Sequence, residues 1–312
     1  MDQKININEM AKKLSDVGIP DFAFSHIISG ANFYRFNSGK SLFDIFNTNE
    51  FLSREEYYVI LSSYLSLVGL SHNIKPKNEW RLKFDCAFLL QTKSIMQSSN
   101  SLDLLTKNCC YNDAFAICRT LISRLNLLLI FALNPDLFDE WLKNPKDEKF
   151  LDGHIRKELS NNGISTVDHL YELTSEIIHY HHDGLVNSGY FEKGGFVEIP
   201  GVSNQIYVIA KFVLGMMFQT VISMIIQDYD GESLPEDIGE LDKLFNWFLN
   251  SYLVSNRYDH IFTFFAEDRH WEKVGKNKYK FWSEYNFIEL RNQIIKFHRN
   301  NQKKKLSKKY CI

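Results

Sequence analysis

From Ile206 to Ile226 the chain is almost unbroken hydrocarbon, interrupted by Lys211, Gln219 and a few small hydroxyl or glycine positions. A helix of that length and composition has two stable environments. It can cross a bilayer core, which takes about 20 apolar residues, or it can be surrounded by protein on most sides. Lys211 lies near one end, from where its long stem could snorkel to a polar boundary. The sequence offers no second span of this kind and no adjacent basic cluster. A buried core helix is therefore expected, in a cytoplasmic protein with no membrane partner.

Such a helix needs other helices to cover it. The 312 residues contain only 6 prolines and 15 glycines, and 45% of them are hydrophobic against 24% charged. Scarce breakers and long apolar runs favour helices over a fold of many turns. The expected fold is all-α, a bundle of roughly eight to ten helices. A small β-hairpin is expected near the C-terminus, from residues 258–265 and 279–282 around Gly275. The chain reads as an N-terminal helical region (1–100), a central helical bundle (101–255) and a C-terminal segment (256–312) with a terminal helix and a basic tail, together one compact unit.

Helices are expected over 5–18, from the Ser53/Glu56 capping box to about Gly69, and over 79–97. The last carries Leu82, Phe84, Cys86, Leu89, Leu90 and Ile95. Residues 20–52, with Gly30, Gly39 and scattered Asn and Ser, read as irregular. A long helix begins near Asn112 and ends at Leu133, because Pro135 cannot continue it. Shorter helices follow at 136–142 and 147–160, then one from Ser165 to about Tyr180. Residues 187–202, rich in glycine and proline with short β-like pieces, read as an exposed or mobile loop. Further helices are expected near 203–228, over 237–253 and from Glu284 to about Asn301.

The net charge of −2 supplies no global field for nucleic acid. The tail from Gln302 to Ile312 is different: its five lysines suit RNA, DNA or anionic lipid, or simply a solvated terminus. Cys311 is one residue from the end, which is not a prenylation box. The five cysteines, at 86, 109, 110, 118 and 311, form neither a disulfide framework nor a zinc knuckle. Reduced, buried thiols are expected. Met1 to Asn8 is polar and lacks the apolar core of a signal peptide.

Two polar constellations interrupt helices that otherwise read as core. Arg119, Ser123 and Asn126 are spaced by four and three, so they share a helix face. Ser175 and His179 are again four apart and offer a partner stripe. An arginine in an apolar helix costs free energy unless it is paired. The pair Arg119 and His179 can serve RNA chemistry, the arginine holding a phosphate and the histidine moving a proton near neutral pH. The alternative is an arginine bonded to hydroxyls and carbonyls that fixes helix packing.

Arg119 in an apolar helix, Asn134-Pro-Asp136, Phe138, Trp141-Leu, Leu170-Tyr and Thr174-Ser175 with His179 together resemble a pattern in bacterial helical families related to HEPN domains. The resemblance covers about residues 110–185. It implies a helical bundle, often dimeric, of the kind found in toxin–antitoxin and anti-phage systems. HEPN ribonucleases are metal-independent and carry an arginine, four to six residues, then a histidine; many relatives lack this motif and are non-catalytic. Arg291 and His298 match the motif literally, with Asn292 directly after the arginine. The two share a helix face within about 20°. The commoner four-residue spacing would place histidine where this chain has Lys296, and the solvated-face reading of this helix stays open.

A third constellation is His179, His181, His182 and Asp183, which with His154 and Asp228 or Asp230 resembles an HD phosphohydrolase. Gly184 follows at once, where the ligand-bearing helix should continue. No Walker A loop, GxGxxG, GxSxG or HExxH is present, which leaves nucleotide-driven chemistry and serine hydrolysis without support.

The expected function is therefore a HEPN-like protein of bacterial defence or toxin type, with metal-independent endoribonuclease activity through an Arg–His pair. Arg119, His179, Arg291 and His298 are the candidate catalytic residues, supported by Ser123, Asn126, Ser175 and Asn292. No metal or cofactor is expected. The expected partners are RNA, a second copy of the chain and a protein of a defence system. The alternatives are a non-catalytic helical interaction module and an HD-type metal phosphohydrolase.

Overall fold

The computed structural model describes residues 7–16, 21–38, 53–164, 171, 174–175, 191–192, 195–196, 200–229, 232–233, 235–243, 291–297 and 299–300. They form an all-α multi-helix bundle. Its helices are α1 (Ile7–Asp16), α2 (Phe22–Ser38), α3 (Ser53–Asn73), α4 (Glu79–Lys107), α5 (Tyr111–Leu133), α6 (Leu137–Lys143), α7 (Asp152–Asn161) and α8 (Pro200–Tyr229). Residues 236–243, 291–297 and 299–300 are also helical. Two-residue strands, Phe191–Glu192 and Gly195–Phe196, pair antiparallel inside the glycine-rich stretch before α8. The expected hairpin over 258–282 lies outside the described residues.

The apolar run from Ile206 to Ile226 is the axis of the bundle. α8 packs against α3, α5 and α4, and side chains on every side of it are buried, among them Ile206, Val213, Met217, Val221 and Ile225. Its polar residues are buried too, including Lys211, Gln219, Thr220 and Asp228. Thr220 and Ser223 return their hydroxyls to the carbonyls of Met216 and Gln219, so those hydroxyls are satisfied inside the helix. The expectation of a single long apolar segment is corrected. By length and composition alone α5 could also cross a membrane; 61% of its apolar window is buried in the bundle, against 94% for the window in α8.

Residues 20–52 are not irregular throughout, because α2 occupies Phe22–Ser38. Gly30 misleads the sequence reading. It lies where α2 meets α3, and a Cβ there would fall inside the Ser62 carbonyl. The glycine is a contact surface for a neighbouring backbone, and packing outweighs its poor helix propensity. Small residues line both sides, with Ala23 and Ala31 on α2 and Ser62, Ser63 and Ser66 on α3 all buried.

α4 runs ten residues beyond its expected end. Its Ser99 and Thr106 hydroxyls, both buried, bond the carbonyls four residues back, so these polar groups are satisfied within the helix as it continues past Gln97. The helix closes with Cys109 at φ 58, while the Cys110 amide donates to the Leu105 carbonyl and the Cys109 amide to that of Thr106. This is the αL closure usually made by glycine. The apolar residues of α4 divide between its two sides. Phe84, Phe88 and Ile95 are buried, but so are Arg81 and Asp85, whereas Leu82 and Leu90 are 52% and 58% exposed. Cys86 is exposed as well, so the buried thiol is Cys118, whose pKa burial pushes up.

Among the described residues, several ion networks tie helices together, and two of them centre on Asp103 and Arg81 of α4. Arg54 of α3 makes two hydrogen bonds to Asp103 of α4, at 2.7 and 3.3 Å. Asp103 also accepts from Tyr207 of α8 at 2.8 Å and pairs with Lys107 at 2.8 Å. Burial alone would raise the Asp103 carboxyl pKa, but its hydrogen bonds from Arg54, Lys107 and Tyr207 outweigh that and hold it below its ordinary value. A depressed carboxyl stabilises the fold above its unfolded pKa of about 4. That stabilisation is lost as pH falls through the folded pKa. Asp103→Asn is accordingly expected to melt below wild type at neutral pH, and the gap should close as melts are taken below about pH 4. A gap that stays constant down to the acid end would remove the charge from the explanation.

The second network has a buried centre, formed by Arg81, Asp85 and Asp228. Arg81 is 0% exposed and donates to Asp85 at 2.6 Å. Its Nη1 lies 3.9 Å from Asp228 at the end of α8. Asp228 in turn accepts from the Lys77 amide at 2.9 Å and the Asn78 side chain at 2.8 Å. A carboxylate from one helix thus covers the N-terminus of another, where the helix dipole favours negative charge.

Candidate functional site

The face of α5 that bears Arg119 and Ser123 turns toward α7, which packs against it. Arg119 Nη2 donates to the Tyr171 hydroxyl at 2.5 Å. The same guanidinium stands 4.6 Å from the Tyr171 ring centre. Arg156 of α7 stands 4.1 Å from that ring. One tyrosine therefore carries two guanidinium groups, an arrangement favoured by the ring's negative face. One turn along α5, Ser123 donates to Asp152 at 2.8 Å. Asp152 and Arg156 are four apart at the start of α7, so the two ends of the α5 stripe meet one face of α7.

The site is graded from wet to dry. Arg119, Ser123, Arg156 and Tyr171 are half-buried, while Asn126 is fully buried. Neither polar atom of the Asn126 amide has a hydrogen-bond partner among the described residues, and the same holds for the Ser175 hydroxyl. Each unmade bond of this kind costs roughly 1–3 kcal/mol. Arg119 reaches Tyr171, one turn before Ser175. Ser123 goes to Asp152 instead. His179 lies outside the described residues, as do His181, His182, Asp183 and Asp230.

Sequence reasoning missed Arg156 and Asp152. They sit on a helix whose charged residues read as a solvated face, and only their spacing of four hinted at a shared direction. Tyr171 was visible as part of the Leu170-Tyr pattern but without a role.

Arg291 is placed differently. Both of its Nη atoms donate to Asp242, and Nη2 also donates to Gln219 of α8 at 3.2 Å. A bidentate carboxylate occupies the guanidinium fork, and the pairing ties the last helix to residues 236–243 and to the bundle axis. Asn292 is exposed. His298 lies outside the described residues. Among the described residues no group of three or more His, Cys, Asp or Glu is arranged to hold a metal ion. Two residues of the HD pattern are engaged elsewhere: Asp228 covers α4, and His154 lies 3.3 Å from Glu148 at the surface. Comparison with known proteins finds no matching family model, no matching curated protein and no matching solved structure.

Proposed function

We propose that this chain is a HEPN-like helical protein of bacterial defence or toxin type that holds the backbone of RNA at Arg119 and Arg156. The observation that supports this reading is the convergence of two half-buried guanidiniums on the Tyr171 ring. A phosphodiester beside the ring can accept a charge-assisted hydrogen bond from each guanidinium. Stacking on tyrosine fixes the guanidinium planes in advance, which lowers the cost of ordering them on binding. The half-buried setting strengthens a charge-assisted hydrogen bond relative to open solvent.

In the catalytic form of this reading, His179 takes the proton of the ribose 2′-hydroxyl. The 2′-oxygen forms a bond to phosphorus as the bond to the 5′-oxygen breaks. Arg119 stabilises the charged phosphorane between them, the proton taken up by His179 passes on to the leaving 5′-oxygen, and the products are a cyclic phosphate and a 5′-hydroxyl end. No metal enters these steps. The working location is the cytoplasm.

Binding of a labelled single-stranded RNA at low salt tests the reading. Arg119→Ala and Arg156→Ala are each expected to weaken affinity about tenfold, the size of one charge-assisted hydrogen bond. Each should also flatten the salt dependence by about one unit of slope. Induced expression adds the catalytic readout. Wild type should arrest growth with fragmented RNA, while soluble Arg119→Ala and His179→Ala should not. Wild-type protein that binds no RNA at low salt would sink the proposal.

A second reading, a non-catalytic interaction module, is favoured by Arg291, whose charge is matched by Asp242 within the fold. Under it, Arg119→Ala lowers the melting temperature and leaves RNA unaffected.

A further inference from the structure

The outward side of α4 carries an exposed apolar stripe. Leu82 and Leu90 are 52% and 58% exposed, and Cys86 between them is exposed. Glu79, with its side chain 81% exposed, and the exposed Lys93 close the two ends of this stripe. At 100° per residue, all five lie within about 40° of the Cys86 direction, so they form one narrow seam.

The order of the seam is its own mirror. Counting outward from Cys86, four residues lead to a leucine on each side. Three more lead to Glu79 on one side and Lys93 on the other. Two such helices laid antiparallel, with a two-fold axis at Cys86, set Leu82 against Leu90 of the other copy. They also set Glu79 against Lys93 of the other copy, twice over. A two-fold interface demands this self-complementarity, since each residue must suit its counterpart's position on the same surface. Cysteine at the axis is small enough to let the two backbones approach. Within one copy Glu79 has a weak call on its neighbours: Lys83 lies 3.4 Å from it but closer to Asp136 and Asp139, at 3.0 and 2.9 Å.

We infer that α4 is a homodimer seam, in which a second copy of this chain packs antiparallel across Cys86. The inference does not depend on RNA binding. The seam is narrow against the roughly 1,600 Å² of a standard interface, so association should depend on concentration.

Sedimentation of the full chain from low to high micromolar concentration reads the dimer directly. Leu90→Glu, an exposed position, should leave a folded monomer. Glu79→Lys and Lys93→Glu should each weaken the dimer at least several-fold, and combining them should restore it, because the swap rebuilds both pairs in reverse. A short bismaleimide should crosslink wild type and fail on Cys86→Ser, although the other four cysteines remain. A chain that stays monomeric throughout overturns the inference. So does a dimer indifferent to Leu90→Glu, or one that the double charge reversal fails to rescue.

Discussion

Gly30→Ala is expected to destabilise the protein by about 3 kcal/mol or more, at or beyond the upper range for overpacking a core. The reason is the identity of the obstructing atoms. The added methyl would meet the Ser62 carbonyl and come within 3.0 Å of the Ser62 Cα, and backbone inside a helix cannot rotate away as a side chain can. α2 and α3 would have to separate along their shared contact, unpacking buried neighbours on the same helix faces such as Ile27 and Tyr34 of α2 and Ser66 of α3. The internal control is Gly69→Ala in α3, where a Cβ meets nothing within 4 Å. There the same substitution should stabilise by up to about 1 kcal/mol through helix propensity. Urea unfolding of the two variants beside wild type reads both signs. Equal shifts in one direction would show that α2 does not rest on α3 at Gly30.

Arg81→Ala is expected to cost about 3–5 kcal/mol, the usual consequence of removing one partner from a buried ion network. Two carboxylates are left behind. Asp85 is buried on the same helix, and the Asp228 side chain is fully enclosed at the end of α8. Asp228 keeps the Lys77 amide and the Asn78 side chain, whereas Asp85 loses the 2.6 Å charge-assisted hydrogen bond from Arg81. Arg81→Ala combined with Asp85→Ala should recover part of the stability lost in the single variant, because the buried carboxylate leaves together with the guanidinium that offset its charge. The expected fall in melting temperature for the single variant is on the order of 10 °C for a chain of this size. A fall of only a degree or two would mean that water reaches Asp85 and Asp228.

The axis of the bundle was legible because a run as apolar as Ile206 to Ile226 has so few environments open to it. The end of α5 at Asn134-Pro135 was legible because proline acts locally. α2 was not. Its glycine and scattered polar residues read as loop, and what keeps it helical is a contact with Ser62, distant in sequence. Which face of α4 turns inward was not legible for a related reason. Its apolar residues are distributed around much of the helix, and the choice of core face was made by where Asp228 arrives, 147 positions after Arg81. The Arg119 stripe was visible from spacing alone. Its partners on α7 were hidden because Asp152 and Arg156 look like any charged helix until α7 is laid against α5.

The bundle axis also sets an order of assembly. The helices that enclose α8, namely α3, α4 and α5, all precede it in the chain. α2 with α3, and α4 with α5, are neighbours in sequence and can pair as soon as they are synthesised, whereas every contact to α8 waits for residues 200–229. During translation the early helices thus stand around an empty trough with their apolar faces in water, the interval in which a nascent chain most needs a chaperone. A chain cut before Pro200 would keep that trough open, and the expected product is an aggregating fragment instead of a smaller folded domain.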